Sequence, residues 1–182
     1  MTASGWEKAA SSIPESTGGN YYKLKDGANK FRVLSEPIQG YLYWTIDSKP
    51  VRLKEYPEVM PSNMREGDKI KFFWAFTVWS YRDSKVQIIE LTQSTIQRAI
   101  ADLVSNEDWG SPTKYDITVS RKGEKLDTEY TVQPSPHRDA PLDALQSLKK
   151  APVRLEALFT GSDPFAPSSD ATDDIKPEDI PF

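Results

Sequence analysis

The chain contains no cysteine and a single histidine, His137. That excludes a disulfide framework, a thiol nucleophile and a structural zinc site, which takes about four Cys or His ligands. A chain without cysteine fits a reducing compartment, and the cytoplasm is the expected location. No apolar run approaches the ~18 residues of a membrane span, and MTASGWEKAA has neither the basic nor the apolar region of a signal peptide. Gly-rich phosphate loops, nucleophile elbows and two-His metal spacings do not occur. His137 sits in a Pro-rich connector, QPSPHRDAP, and reads as a surface residue. Asp102, Glu107 and Asp108 invite a metal-dependent nuclease reading, but acids on an exposed helix face are usually solvated. Neither an enzymatic activity nor a cofactor is expected.

The net charge of −4 and pI near 5.1 argue at first against a nucleic-acid partner. The distribution reverses that argument. From Gly161 onward lie six acids and one base, a charge of −5, so the remaining 160 residues hold 21 acids and 22 bases, a charge of +1. The acidity is mostly a tail, and the body is free to carry a basic face.

Residues 1–19 are small and polar and are expected to be flexible. From Tyr21 the texture is that of an all-β module. The segments 30–35, 41–46, 49–55, 69–81, 86–92, 115–121 and 128–133 are rich in β-branched and aromatic residues. Hairpin turns are predicted at Arg82-Asp83-Ser84 and through Lys122-Gly123-Glu124-Lys125, with Gly123 supplying the unusual backbone angles. A helix capped by Thr92 or Ser94 follows the fifth strand, with Ile96, Ile100, Leu103 and Val104 on one face. A second short helix, Leu142 to Lys150, precedes the apolar segment VRLEALF (153–159). The expected architecture is an OB-type Greek-key barrel over 20–160, with an inserted helix and a short C-terminal helix, followed by a disordered acidic tail over 161–182. An SH3-like barrel is the nearest competitor, and it would not need the helix.

Ten of the chain's twenty aromatic residues fall between Tyr41 and Tyr81, among several cations. In KIKFFWAFTVWSY, alternation puts Ile70, Phe72, Trp74, Phe76 and Val78 on one face, expected to be core. Lys71, Phe73, Ala75, Thr77, Trp79 and Tyr81 occupy the other. A surface that stacks bases wants that mixture of rings and cations. A barrel strand of this length can also be buried on both faces, which would make those rings core. The candidate contact residues for single-stranded DNA are Tyr43, Trp44, Arg52, Lys54, Lys71, Phe73, Trp79, Tyr81 and Arg82. To these the basic hairpin 120–130 adds Arg121, Lys122 and Lys125, unless its turn is merely solvated.

Residues 21–136, from YYKLKDGANKFRVLS through FFWAFTVWSYRDSKVQIIELTQSTIQ to DWGSPTKYDITVSRKGEKLDTEYTVQPSP, resemble the single-stranded-DNA-binding proteins of tailed bacteriophages. The last residues, Asp179-Ile180-Pro181-Phe182, resemble the C-terminal tip of bacterial single-stranded-DNA-binding proteins. The resemblance implies an OB-fold that binds single strands through aromatic and basic residues in replication, recombination and repair. It also implies a tip that docks partners such as a polymerase, helicase, primase or nuclease, and a location in the cytoplasm of a bacterial host. Relatives in T-even-like phages hold a zinc and use a basic N-terminal arm; this chain has neither the ligands nor the arm. An OB domain that binds protein and has no DNA affinity is the alternative.

Overall fold

Seven antiparallel strands form in the predicted order in the computed structural model, which describes residues 19–166: β1 (Gly27–Val33), β2 (Ile38–Trp44), β3 (Pro50–Leu53), β4 (Lys71–Ser80), β5 (Lys85–Leu91), β6 (Asp116–Lys122) and β7 (Glu129–Pro134). Helix α1 (Ser94–Ser105) follows β5, while α2 (Leu142–Lys150) and the one-turn α3 (Ala157–Thr160) follow β7. The fold is OB-like and mostly β. Among the described residues no helix is long and apolar enough to cross a membrane. The tip Asp179–Phe182 and nearly all of the acidic tail lie outside the described residues.

The ten-residue β4 organises the sheet. One edge carries β5 from Trp74 to Ser80; the other carries β2 beside Lys71–Ala75 and β1 beside Val78–Ser80. Strands β1 and β2 therefore lie end to end, separated by the turn at 34–37. Two wings diverge from this line, because β1 pairs next with β6 and then β7, whereas β2 pairs next with β3.

Each face of β4 buries its own apolar cluster. Phe76 and Val78 join Phe31, Val33, Ile89, Leu91, Ile117 and Val119, closed by Ile96 and Ile100 of α1. On the opposite face Phe73 and Ala75 join Leu42, Ile88 and Leu158, with Val153, Leu155, Phe159 and Phe165 packed against them. The segment VRLEALF is the lid of this second cluster, and the packed chain continues through Phe165. Gly40 permits the approach: a Cβ there would lie 2.3 Å from the Leu53 carbonyl oxygen and 3.0 Å from the Phe159 ring.

The facing predicted for β4 is therefore corrected at both ends. Phe72 is 39% exposed, and Trp74 is only half-buried at the margin of the helix-covered cluster. Phe73, Ala75, Thr77 and Trp79, expected outside, are buried. The hairpin turns fall where predicted, with Gly123 at φ 89° and Ser84 at φ 51°. Helix α1 is capped at Gln93 rather than Thr92 or Ser94, and Val104 is exposed.

Asp116 ties four parts of the chain together while carrying no exposed surface. Its carboxylate accepts from Arg32 Nε at 2.8 Å on β1, Tyr81 Oη at 2.7 Å after β4 and Arg138 Nη2 at 2.5 Å after β7. Lys30 Nζ stands 3.7 Å away. Burial pushes this carboxyl up, but the donors from Tyr81, Arg32 and Arg138 outweigh it and hold the group below the usual carboxylate range. A carboxyl so lowered contributes fully above its unfolded value, near 4, and loses that contribution as pH falls through the folded one. Asp116→Asn should cost about 3–5 kcal/mol at neutral pH, since Arg32 is left buried without its counter-charge. Urea unfolding of both proteins from pH 7 to pH 3 should show that difference constant at first and shrinking below about pH 4. A constant gap throughout would mean that Asp116 acts by shape alone.

Candidate functional site

A groove of about 690 Å³ opens between the two wings. Trp44, Ser48, Pro50 and Arg52 line it from the β2–β3 hairpin, Arg121 and Tyr130 from the β6–β7 hairpin, Tyr21–Leu24 from the strap preceding β1, and Glu90 and Gln93 from the end of β5 and its following turn. Rings and cations share its lining.

Each wall is fixed by backbone bonds. Trp44 donates its N–H to Asp68 Oδ2 at 3.0 Å, and its carbonyl accepts from Arg65 N–H at 2.8 Å. The Trp44 N–H is the main reason that the Asp68 carboxyl lies below its ordinary range. This clamp holds the half-buried indole at the rim while the 45–49 turn closes through Thr45 N–H to Lys49 O at 2.9 Å. Opposite, Arg121 and Tyr130 are register partners, one step from the pair Lys122–Glu129 at the hairpin's end.

The strap runs parallel to β5, with Ile88 N–H donating to Asn20 O and Tyr22 N–H to Ile88 O. Arg82 staples it down: Nη2 donates to Lys23 O at 2.8 Å, Nη1 to Asn29 Oδ1 at 3.3 Å, and the guanidinium covers the Tyr22 ring at 4.6 Å. Burial raises the Tyr21 phenol pKa, Arg52 opposes the shift, and Glu90 and Asp163 add to it. Asp163 belongs to the C-terminal segment, so that segment ends within electrostatic reach of the groove.

Charge in the groove is largely paired within the protein. Arg52 Nε lies 2.5 Å from Glu90 Oε2, and Arg121 Nε lies 3.7 Å from Asp26 Oδ1. Lys23 stands exposed at the rim.

The comparisons with known proteins point the same way. The chain is 24% identical over 156 residues to a "Probable ssDNA-binding protein" of Escherichia phage T5. The match covers 68% of this chain and 60% of that relative, so the chain spans about 60% of the relative's length. No protein-family profile matches, and no solved structure does.

Of the residues singled out in the sequence, Trp44, Arg52 and Arg121 come together in the groove. Lys122 and Lys125 are exposed at the tip of the β6–β7 hairpin, and Lys71 is exposed at the start of β4. Lys54, also exposed, sits 5.4 Å over the Phe159 ring and 3.6 Å from Glu156. Three expectations are corrected on burial: Phe73 is core, Tyr43 is buried with its hydroxyl donating to Asn63 Oδ1 at 3.1 Å, and Trp79 is 7% exposed. Tyr81 is half-buried and spends its hydroxyl on Asp116. Arg82 holds the strap while remaining exposed. Among the described residues no three His, Asp or Glu side chains gather to hold a metal ion, Asp102, Glu107 and Asp108 included.

Tyr21, Lys23, Glu90, Gln93 and Tyr130 were not recognised in the sequence. The Tyr-Tyr-Lys triplet directly after a Gly pair was the available signal for the strap. Trp79→Ala should now act on stability, costing about 3–5 kcal/mol as a buried-ring truncation does. Thermal unfolding of the variant checks this, and an unchanged midpoint would return Trp79 to the surface.

Proposed function

We propose that the protein is a sequence-tolerant single-stranded-DNA-binding protein, seating bases on rings of the inter-wing groove while cations along its rim meet phosphates. The observation that carries this reading is the groove itself, where Trp44, Tyr21 and Tyr130 share the lining with Lys23, Arg52 and Arg121. Every base has a π-face, so stacking tolerates sequence, and a single strand alone exposes those faces. The likeness to a phage protein named a probable ssDNA-binding protein supports the reading. Its place would be in replication, recombination and repair in the cytoplasm of a bacterial host. The acidic tip would recruit partner proteins, with Ile180 and Phe182 entering an apolar pocket and the terminal carboxylate and Asp179 meeting cations.

Trp44→Ala should weaken single-strand binding by roughly 1–3 kcal/mol without lowering the unfolding midpoint, whereas Tyr130→Ala should weaken binding and also lower the midpoint, because Tyr130 packs against the first core cluster. Titrating the intact protein with an unlabelled oligonucleotide should quench indole emission, and Trp44→Ala should remove most of the quenching. Log K should fall with log salt at about −0.7 per neutralised phosphate. Absence of any salt-sensitive DNA affinity would favour the protein-binding alternative, and equal affinity for duplex and single strands at moderate salt would count against the stacking groove.

The tail should act on the same groove. Phe165 packs on the same cluster as Tyr21, and a linker of about 16 residues beyond it would correspond to an effective concentration near millimolar. Deleting residues 167–182 should therefore raise single-strand affinity at low salt, with the advantage vanishing as salt screens the acids. Removing Phe182 alone should abolish partner capture and leave DNA affinity unchanged. If that single deletion tightened DNA binding as much as loss of the whole tail, the acids would not be the competitor.

A further inference from the structure

A groove suited to a polyanion carries a carboxylate in its lining, and that carboxylate has a specific partner. Glu90 Oε2 lies 2.5 Å from Arg52 Nε, and the two side chains are only 16% and 11% exposed. The residues come from strands on opposite sides of β4, β5 and β3, 38 positions apart. An exposed pair would be screened and exchange readily, whereas a mostly buried one holds its geometry. Arg121 is paired more loosely, at 3.7 Å with an Asp26 side chain that is largely solvent-exposed. The most deeply placed cation of the groove is therefore also the most firmly neutralised one.

We infer that Glu90 is a specificity-determining residue, which neutralises Arg52 so that the groove selects for exposed bases rather than for phosphate density. This rests on the single-strand reading of the groove. A duplex offers dense phosphates and hides its π-faces, so it gains from free cations. A single strand offers rings, and rings stack on Trp44, Tyr21 and Tyr130 without any call on Arg52. A carboxylate next to the binding surface repels phosphate and is indifferent to a neutral base. Glu90 thus lowers affinity for both forms, and lowers it more for the form that binds by charge.

The test is a salt series of equilibrium titrations with a thymidine oligonucleotide and with a hairpin duplex. It compares full-length wild type, Glu90→Gln and the double variant Glu90→Gln/Arg52→Gln. Glu90→Gln should tighten both complexes at low salt, the duplex more, so that the ratio of single-strand to duplex affinity falls several-fold. With Arg52 released, the salt slope should steepen by about 0.7 for the single strand and about 0.9 for the duplex. Adding Arg52→Gln should remove that gain. Glutamine can still accept from the guanidinium, and Glu90→Asp, which draws the charge back by one methylene, gives a second variant with a smaller change in the same direction. Unchanged slopes in both Glu90 variants, or a gain that survives Arg52→Gln, would overturn the inference alone. Weaker single-strand binding at an unchanged slope would do the same, since Glu90 would then be reading the base itself. Absence of single-strand binding by the wild type would remove the reading of the groove and this inference with it.

Discussion

Strand β4 is buried on both faces, and most of the architecture follows from that requirement. A strand with apolar residues in both alternating rows needs cover on each side. The first face gets its cover from the β1–β6–β7 wing and α1, which close over Phe76 and Val78. The second cannot be covered by the same wing, because side chains at odd and even positions point apart. It is covered instead by the chain after α2, through Leu155, Leu158 and Phe159 against Phe73. The domain thus needs its residues 153–165 as much as any strand. Leaving Gly40 without a side chain is the local condition for that packing.

Covering both faces leaves the margin between the wings as the open apolar surface with cations nearby. The strap from Tyr21 to Leu24 lies along that margin and brings Tyr21 and Lys23 to it, while the two hairpins bring Trp44 and Tyr130. These side chains come from three separate parts of the sequence. What makes them a site is the divergence of β1 and β2 along a single edge of β4.

The elements themselves were legible. Alternation and turn chemistry place all seven strands within a few residues, and α2 spans the predicted range, Leu142 to Lys150. The β4 facing was not, for a physical reason. A period of two says that Phe73 and Trp79 share a side, but not what covers that side. Over Phe73 the cover is VRLEALF, some eighty residues downstream, and its apolar residues gave no sign of their destination. Trp44, Arg52 and Arg121 were recognised because rings and cations sit together locally on hairpins. Tyr21 and Tyr130 gain their role from tertiary proximity, and Glu90 looked like an ordinary polar residue of an amphipathic strand. Phosphate-binding cations can be counted in a sequence; their internal counter-ions cannot.

Those counter-ions decide how the body and tail share the charge. The body carries a formal charge of only +1. Asp116 binds Arg32 and Arg138, Glu90 binds Arg52, Asp26 approaches Arg121, and Glu156 approaches Lys54. The pairs differ in what they do. Arg32 and Asp116 are both fully buried, so their bond serves the fold and is out of reach of any ligand. Lys54 and Glu156 are both largely exposed, worth little, and free to part. Arg52 and Glu90 lie between these limits, accessible from the groove yet mostly desolvated. With Arg52 neutralised and Arg121 facing Asp26, binding inside the groove has to come from ring contact more than from charge. That weights the groove toward a ligand whose flat apolar faces are exposed.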